Sequence, residues 1–237
     1  MIYKSKISII ETYLPKKKTL IKNNNRLLEK TGIEKVWKSS KNETSLDMGY
    51  KSALKLKKKI NLKKLDGLIF VSQTSDYFLP SSSCILQNKL GLKKNIFSFD
   101  VNLGCSGFVY ALSIATSMIN SNLAKNILII CSDTYSKFIN KENLSCKSIF
   151  SDGASSIVIS KSTKKLIGKF DFGTDGSGSQ DLIVKSGGGR TNFISSKKPT
   201  ISMDGARVFN FTINTVPKSF NKTLKLNKLK KDIVKKV

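Results

Sequence analysis

The 237 residues carry 42 Lys and Arg against 16 Asp and Glu, a net charge of +26, with 39% apolar residues and only 4 Pro. That balance excludes a disordered or collagenous chain, which lacks the apolar material for a core, and the length suits one large domain or two small ones. There is no His, so no mechanism needing an imidazole of its own (Ser-His-Asp, Cys-His or a His-ligated metal) can run on these residues alone.

The first residues, Met1 to Ile10, have no long apolar stretch and no small-residue cleavage site, which predicts that no secretory signal is present. Residues 51–65 (KSALKLKKKINLKKL) place Ala53, Leu54, Leu56 and Ile60 at helical spacing among lysines, an amphipathic helix with a solvated basic face. Gly67–Ser72 reads as a buried strand. Ser81–Leu90 reads as a helix with a Ser near its N-cap and Gly91 just past its end. Ile96–Asp100 is a second strand. Ser106–Asn120 is a helix with Phe108, Leu112, Ala115 and Ile119 on one face. Asn126–Ser132 and Ser155–Ser160 are a third and a fourth strand. Strand and helix in alternation predict a sheet covered by helices, and the near-continuous apolar strands predict burial on both faces.

After about residue 162 the texture loosens, punctuated by Gly173, Gly176, Gly178 and Gly187–Gly189, until Met203–Asp204–Gly205 opens a helical segment. Residues 218–237 read as a second Lys-rich amphipathic helix on Phe220, Leu224 and Leu229. The lysines are spread along the chain, Arg is scarce and no aromatic–basic stacking pattern is present. Solvated faces or a docking surface for an acidic partner both fit; nucleic-acid binding fits poorly. No apolar run reaches the ~18 residues that span a bilayer, and four irregularly spaced Cys give no disulfide or zinc framework, so a soluble, cytoplasmic protein without a metal is expected.

The segment Phe99-Asp-Val-Asn-Leu-Gly-Cys-Ser-Gly-Phe-Val-Tyr-Ala-Leu112 carries the chemistry. A strand ends near Asp100 and a helix starts just after Cys105, with Gly104 and Gly107 close on either side. Small neighbours permit a sharp turn and the approach of a substrate to the sulfur. The free N–H groups and partial positive charge of a helix N-terminus favour thiolate over thiol, and a thiolate is a good nucleophile toward a thioester. A small buried hydrophobe is the other reading of Cys105. Cys84, Cys131 and Cys146 lack this setting and are assigned to packing or chance.

In order along the chain, Tyr13-Leu-Pro15, Thr31-Gly-Ile33, Leu79-Pro-Ser-Ser-Ser-Cys-Ile-Leu-Gln-Asn-Lys-Leu-Gly91, Asp100–Leu112, Phe150-Ser-Asp-Gly-Ala154 and Met203-Asp-Gly-Ala-Arg-Val-Phe209 together resemble the 3-oxoacyl-(acyl carrier protein) synthase III family of the thiolase-like superfamily. The resemblance implies an α/β, thiolase-like fold, with a complete first βαβαβ half over residues 1–162 and an incomplete second half over 163–237. It implies a condensing acyltransferase of fatty acid biosynthesis. Cys105 would take an acyl group from acyl-CoA for condensation with malonyl on acyl carrier protein, with no cofactor. It also implies a homodimer, with no nucleic acid and no membrane as partners. In the family a His and an Asn of the second half assist decarboxylation, and a Gly near the C-terminus shares the oxyanion hole with the nucleophile N–H. Residues 227–237 look like the approach to the strand that carries the family's Pro-His-Gln-Ala-Asn motif, which is absent, so truncation and the loss of full condensation are expected. Arg26 and Leu144 stand about where the family often places the Trp and Arg that clamp the CoA adenine, and Trp37 is displaced, so donor identity is left open. A non-catalytic paralogue or fragment that dimerises and docks acyl carrier protein is the other reading.

Overall fold

The computed structural model describes residues 4–21, 31–140, 143–189 and 198–233. Its chain forms two compact units, Met1–Lys137 with Ser148–Ile167, and Phe138–Lys147 with Gly168–Val237.

The first unit is organised by two strands whose residues are apolar on both faces, β4 (Gly67–Val71) and β6 (Asn126–Asp133). With β1 (Ser5–Tyr13), β5 (Phe97–Val101) and β7 (Gly153–Lys161) they form a sheet of order β1-β7-β6-β4-β5. β4 is parallel to both β5 and β6, whereas β6–β7 and β7–β1 are antiparallel. The side-chain period of two splits the strands cleanly. Leu68, Phe70, Leu128 and Ile130 join Leu46, Ala53, Leu56 and Leu86 of two helices on one face. Ile69, Val71, Ile127 and Ile129 join Ala111, Ala115 and Ile119 of a third helix on the other. Those helices are α1 (Ser45–Lys57), α2 (Ser82–Lys89) and α3 (Gly107–Asn120).

The α/β architecture expected from the alternating strands and helices is therefore present, with local differences. α1 starts at Ser45, ahead of the predicted residue 51, because Thr44 and Asp47 make a reciprocal capping box: each side chain accepts from the other's backbone N–H at 3.2 Å. It ends at Lys57, before Ile60, and Asn61 caps the next short turn by accepting from Lys63 N at 3.0 Å. α2 is not capped by the predicted Ser. Asp100, at the end of β5, accepts from Ser82 N at 2.7 Å and Ser83 N at 2.8 Å. The face of α3 fully buried on the sheet is Gly107, Ala111, Ala115 and Ile119; Phe108 and Leu112 are only partly buried. β5 is half-buried along its length, not covered like β4, since it ends the sheet. β1 has no counterpart among the predicted strands: Ile7 and Ile10 are exposed, so its burial does not follow a clean apolar run. A separate antiparallel pair, β2 (Lys17–Leu20) and β3 (Lys35–Lys38), carries Trp37.

The second unit holds α4 (Leu144–Ile149) in part, the antiparallel pair β8 (Leu182–Val184) and β9 (Ile201–Met203), and α5 (Gly205–Asn227). Asp204 caps α5 by accepting from Ala206 N and Arg207 N, both at 3.1 Å. Residues 218–227 of the helix predicted over 218–237 are the last part of this 23-residue helix, which closes at Lys228 in the left-handed region, φ 53°, leaving Leu229 beyond it; residues 234–237 lie outside the described residues. Among the described residues no helix is long and apolar enough to cross a membrane.

Candidate active site

Register brings the C-terminal ends of the parallel strands level: Val71 lies opposite both Val101 and Cys131. Loops at this end of a sheet form crevices, the usual place for a ligand in an open α/β sheet. Beyond β5 the chain makes one tight turn, with Gly107 N donating to Gly104 O at 2.8 Å, and enters α3. Cys105 sits in that turn, exposed, immediately before the first residues of the helix. Ser106, the residue at the cap position, makes no side-chain cap bond, so no hydroxyl takes up the first-turn amides next to the sulfur. The alternative reading of Cys105 as a buried hydrophobe does not fit this exposure.

The flanking glycines act by close approach, since neither has a positive φ. A Cβ on Gly107 would lie 2.4 Å from Val71 Cγ1 and 3.3 Å from Leu103 Cβ, so the missing side chain lets α3 seat on the end of β4. A Cβ on Gly104 would lie 2.5 Å from Gln73 Oε1 and 2.9 Å from the Tyr135 hydroxyl. Those two groups are hydrogen-bonded to each other, the Tyr135 hydroxyl donating to Gln73 Oε1.

Both belong to segments held by acidic side chains. Asp133 Oδ1, at the end of β6, accepts from Ser72 Oγ (3.1 Å), Gln73 N (2.9 Å), Thr74 N (3.0 Å) and Thr74 Oγ1 (2.9 Å). Asp152, only 1% exposed, accepts from Ser39 N and Ser136 N, both at 2.8 Å, and from the Ser39 and Ser136 hydroxyls. Burial lifts Asp133 above the usual carboxylate range despite the hydrogen bonds that pull it down. Burial, then the charges of Asp133 and Cys105, raise the Tyr135 hydroxyl, which therefore stays a donor.

The other cysteines have different settings. Cys131 lies half-buried in β6 and is pushed up to about 12 by burial and by Asp133, so it stays a thiol. Cys146 is buried in α4, and burial raises it too. Cys84 is exposed on α2, so packing does not account for it. Arg26 lies outside the described residues, as does the side chain of Leu144. Trp37 sits on β3, its backbone N–H donating to Ser151 Oγ at 2.7 Å. Gln73, Asp133 and Tyr135 carry no motif of their own; the only sequence signal is that each follows or ends an apolar strand.

The family described as 3-oxoacyl-[acyl-carrier-protein (ACP)] synthase III matches residues 99–176, which include Cys105. The chain is 35% identical over 209 residues to a beta-ketoacyl-[acyl-carrier-protein] synthase III of Fusobacterium nucleatum, covering 85% of this chain and 63% of that protein. It is 35% identical over 225 residues to the protein of the same description in Clostridium tetani, covering 89% of this chain and 67% of that one. A solved 3-oxoacyl-(acyl-carrier-protein) synthase III superposes with a TM-score of 0.91 at 32% identity, covering 97% of this chain and 76% of that chain. A 3-oxoacyl-(acyl-carrier protein) synthase from Burkholderia xenovorans superposes with a TM-score of 0.86 at 29% identity, covering 97% and 71%. The chain thus spans about two thirds of the length of the relatives it matches.

Proposed function

The chain belongs to the 3-oxoacyl-[acyl-carrier-protein] synthase III family, and from that premise we propose that Cys105 is its acyl-accepting nucleophile. The Cys105 sulfur attacks the carbonyl carbon of an acyl-CoA. The carbon–sulfur bond to CoA breaks, CoA leaves as its thiol, and the acyl group remains as a thioester on Cys105. The developing oxyanion lies within reach of the first-turn amides of α3, where charge is best stabilised by donors already aligned. The acyl group is then carried into condensation with malonyl on acyl carrier protein, in fatty acid biosynthesis.

The observation that carries this reading is an exposed thiol in the turn that enters an uncapped helix, at the C-terminal end of three parallel strands. We assign the nucleophile to a first half over 1–162 and the remaining residues to a second thiolase-like half. The 237 residues contain no His, so the imidazole that the family resemblance implies for decarboxylation is not among them, and the acylation step is the part these residues can perform. The same observation favours a second reading, in which the chain dimerises and docks acyl carrier protein without turnover. A homodimer in the cytoplasm, acting on a CoA thioester, completes the proposal; the free state of all four cysteines supports a reducing compartment.

Incubation with acetyl-CoA followed by intact-mass measurement tests it. One acetyl group per chain, lost in Cys105→Ala, is expected. An unmodified wild-type chain, together with carrier-protein capture that Cys105→Ala leaves intact, would favour the docking reading.

A further inference from the structure

Two loops from different strands meet beneath the nucleophile turn, and each is fixed by its own carboxylate. Asp133 holds the backbone of Gln73 at 2.9 Å, and Asp152 holds that of Ser136, next to Tyr135, at 2.8 Å. The Tyr135 ring lies 5.3 Å from that of Phe150, tilted by 44°. The side chains these loops present, Gln73 and Tyr135, bond to each other and abut Gly104 so closely that even a methyl group there would collide with both. Gln73 is exposed and Tyr135 half-buried, and a pair of aliphatic side chains would fill the same space. A directional bond between them instead fixes one arrangement.

We propose that Tyr135 and Gln73 are positioning residues for Cys105: their hydrogen bond makes a rigid wedge under Gly104 that holds the 104–106 turn, and with it the sulfur, against the first turn of α3. Neither residue needs to touch the acyl donor. The proposal rests on the acyl-transfer reading of Cys105 and adds the reason its turn is held in one conformation. The raised hydroxyl of Tyr135 keeps the proton that makes the bond.

Tyr135→Phe keeps the ring on Phe150 and deletes the donor; Gln73→Leu keeps the bulk and deletes the acceptor. Single-turnover acylation by acetyl-CoA is followed in both, beside carboxymethylation by iodoacetate resolved by peptide. Exposed Cys84 serves as the internal reference, and Cys131 and Cys146 report any loss of fold. Each single variant is expected to lower the maximal acylation rate about fivefold, the size of one lost hydrogen bond, with the half-saturating acetyl-CoA concentration unchanged. Cys105 carboxymethylation should fall by a similar factor relative to Cys84, and the double variant should be no slower than either single one, since all three remove the same bond. Should labelling of Cys131 or Cys146 reveal unfolding, Gly104→Ala, which pushes on the wedge without removing it, is expected to give the same selective loss at Cys105. Rates at Cys105 within about twofold of wild type, or losses shared with Cys84, overturn the proposal. A wild-type chain that is carboxymethylated at Cys105 but never acylated overturns the acyl-transfer reading instead, and the carboxymethylation ratios still decide the wedge.

Discussion

Cys105 owes its setting to what is missing around it as much as to what is present. Gly107 has no side chain, so α3 can rest on Val71; Ser106 offers no cap, so the first-turn amides are left to a ligand. Removing the sulfur tests the chemistry directly: Cys105→Ala should abolish acyl-enzyme formation while circular dichroism and thermal melting stay as in wild type, because an exposed thiol contributes little to packing. Asp133 presents the opposite case. Four donors converge on one oxygen, so Asp133→Ala should cost about 1–3 kcal/mol in urea unfolding by taking the acceptor from the hydroxyls of buried Ser72 and Thr74. Burial raises its folded-state pKa, and this sets the sign of its pH dependence. The stability linked to its protonation is fully present below the unfolded-state value and is lost as pH rises through the folded one.

Among the elements, the strand ends and helix starts are joined by side chains that serve two elements at once. Asp100, next to last in β5, caps α2; Asp66 precedes β4 and accepts from Lys125 N (2.8 Å) and Asn126 N (3.0 Å) at the start of β6. Burial pushes Asp66 up, but those N–H groups and the Lys93 ammonium outweigh it and hold it below the usual carboxylate range. A depressed carboxylate contributes stability that is present above its unfolded value and lost as pH falls through the folded one. Asp66→Asn should therefore lower the melting temperature at pH 7, and the gap to wild type should narrow as pH falls below ~4. An unchanged gap across that range would show that the pairing is not what shifts Asp66. Gly107→Ala should destabilise by about 1–3 kcal/mol in the same unfolding assay, because the added methyl must displace Val71 or tilt α3.

For the whole molecule, the excess of lysine and the half-buried edge strand β5 bear on association. The proposed docking of acyl carrier protein would draw on the net charge of +26, and attraction of that kind is screened by salt. Capture of carrier protein should weaken steadily between low and physiological salt; binding indifferent to salt would assign the lysines to solvation alone. Edge strands left unpaired invite pairing with another copy, so sedimentation at micromolar concentration is expected to give the mass of a dimer.

Chain order alone determined the strands β4 to β7, the helix that follows Cys105 and the glycine-flanked setting of that residue, because apolar runs, helical spacing and glycine placement are local properties. Other features required the folded chain. The edge strand β1 is defined by its partner β7, not by its own half-exposed pattern. The cap of α2 comes from Asp100, eighteen residues beyond Ser82. The wedge of Gln73 and Tyr135 joins side chains sixty-two positions apart. Each depends on a contact between distant segments, and no window of sequence contains both ends of such a contact.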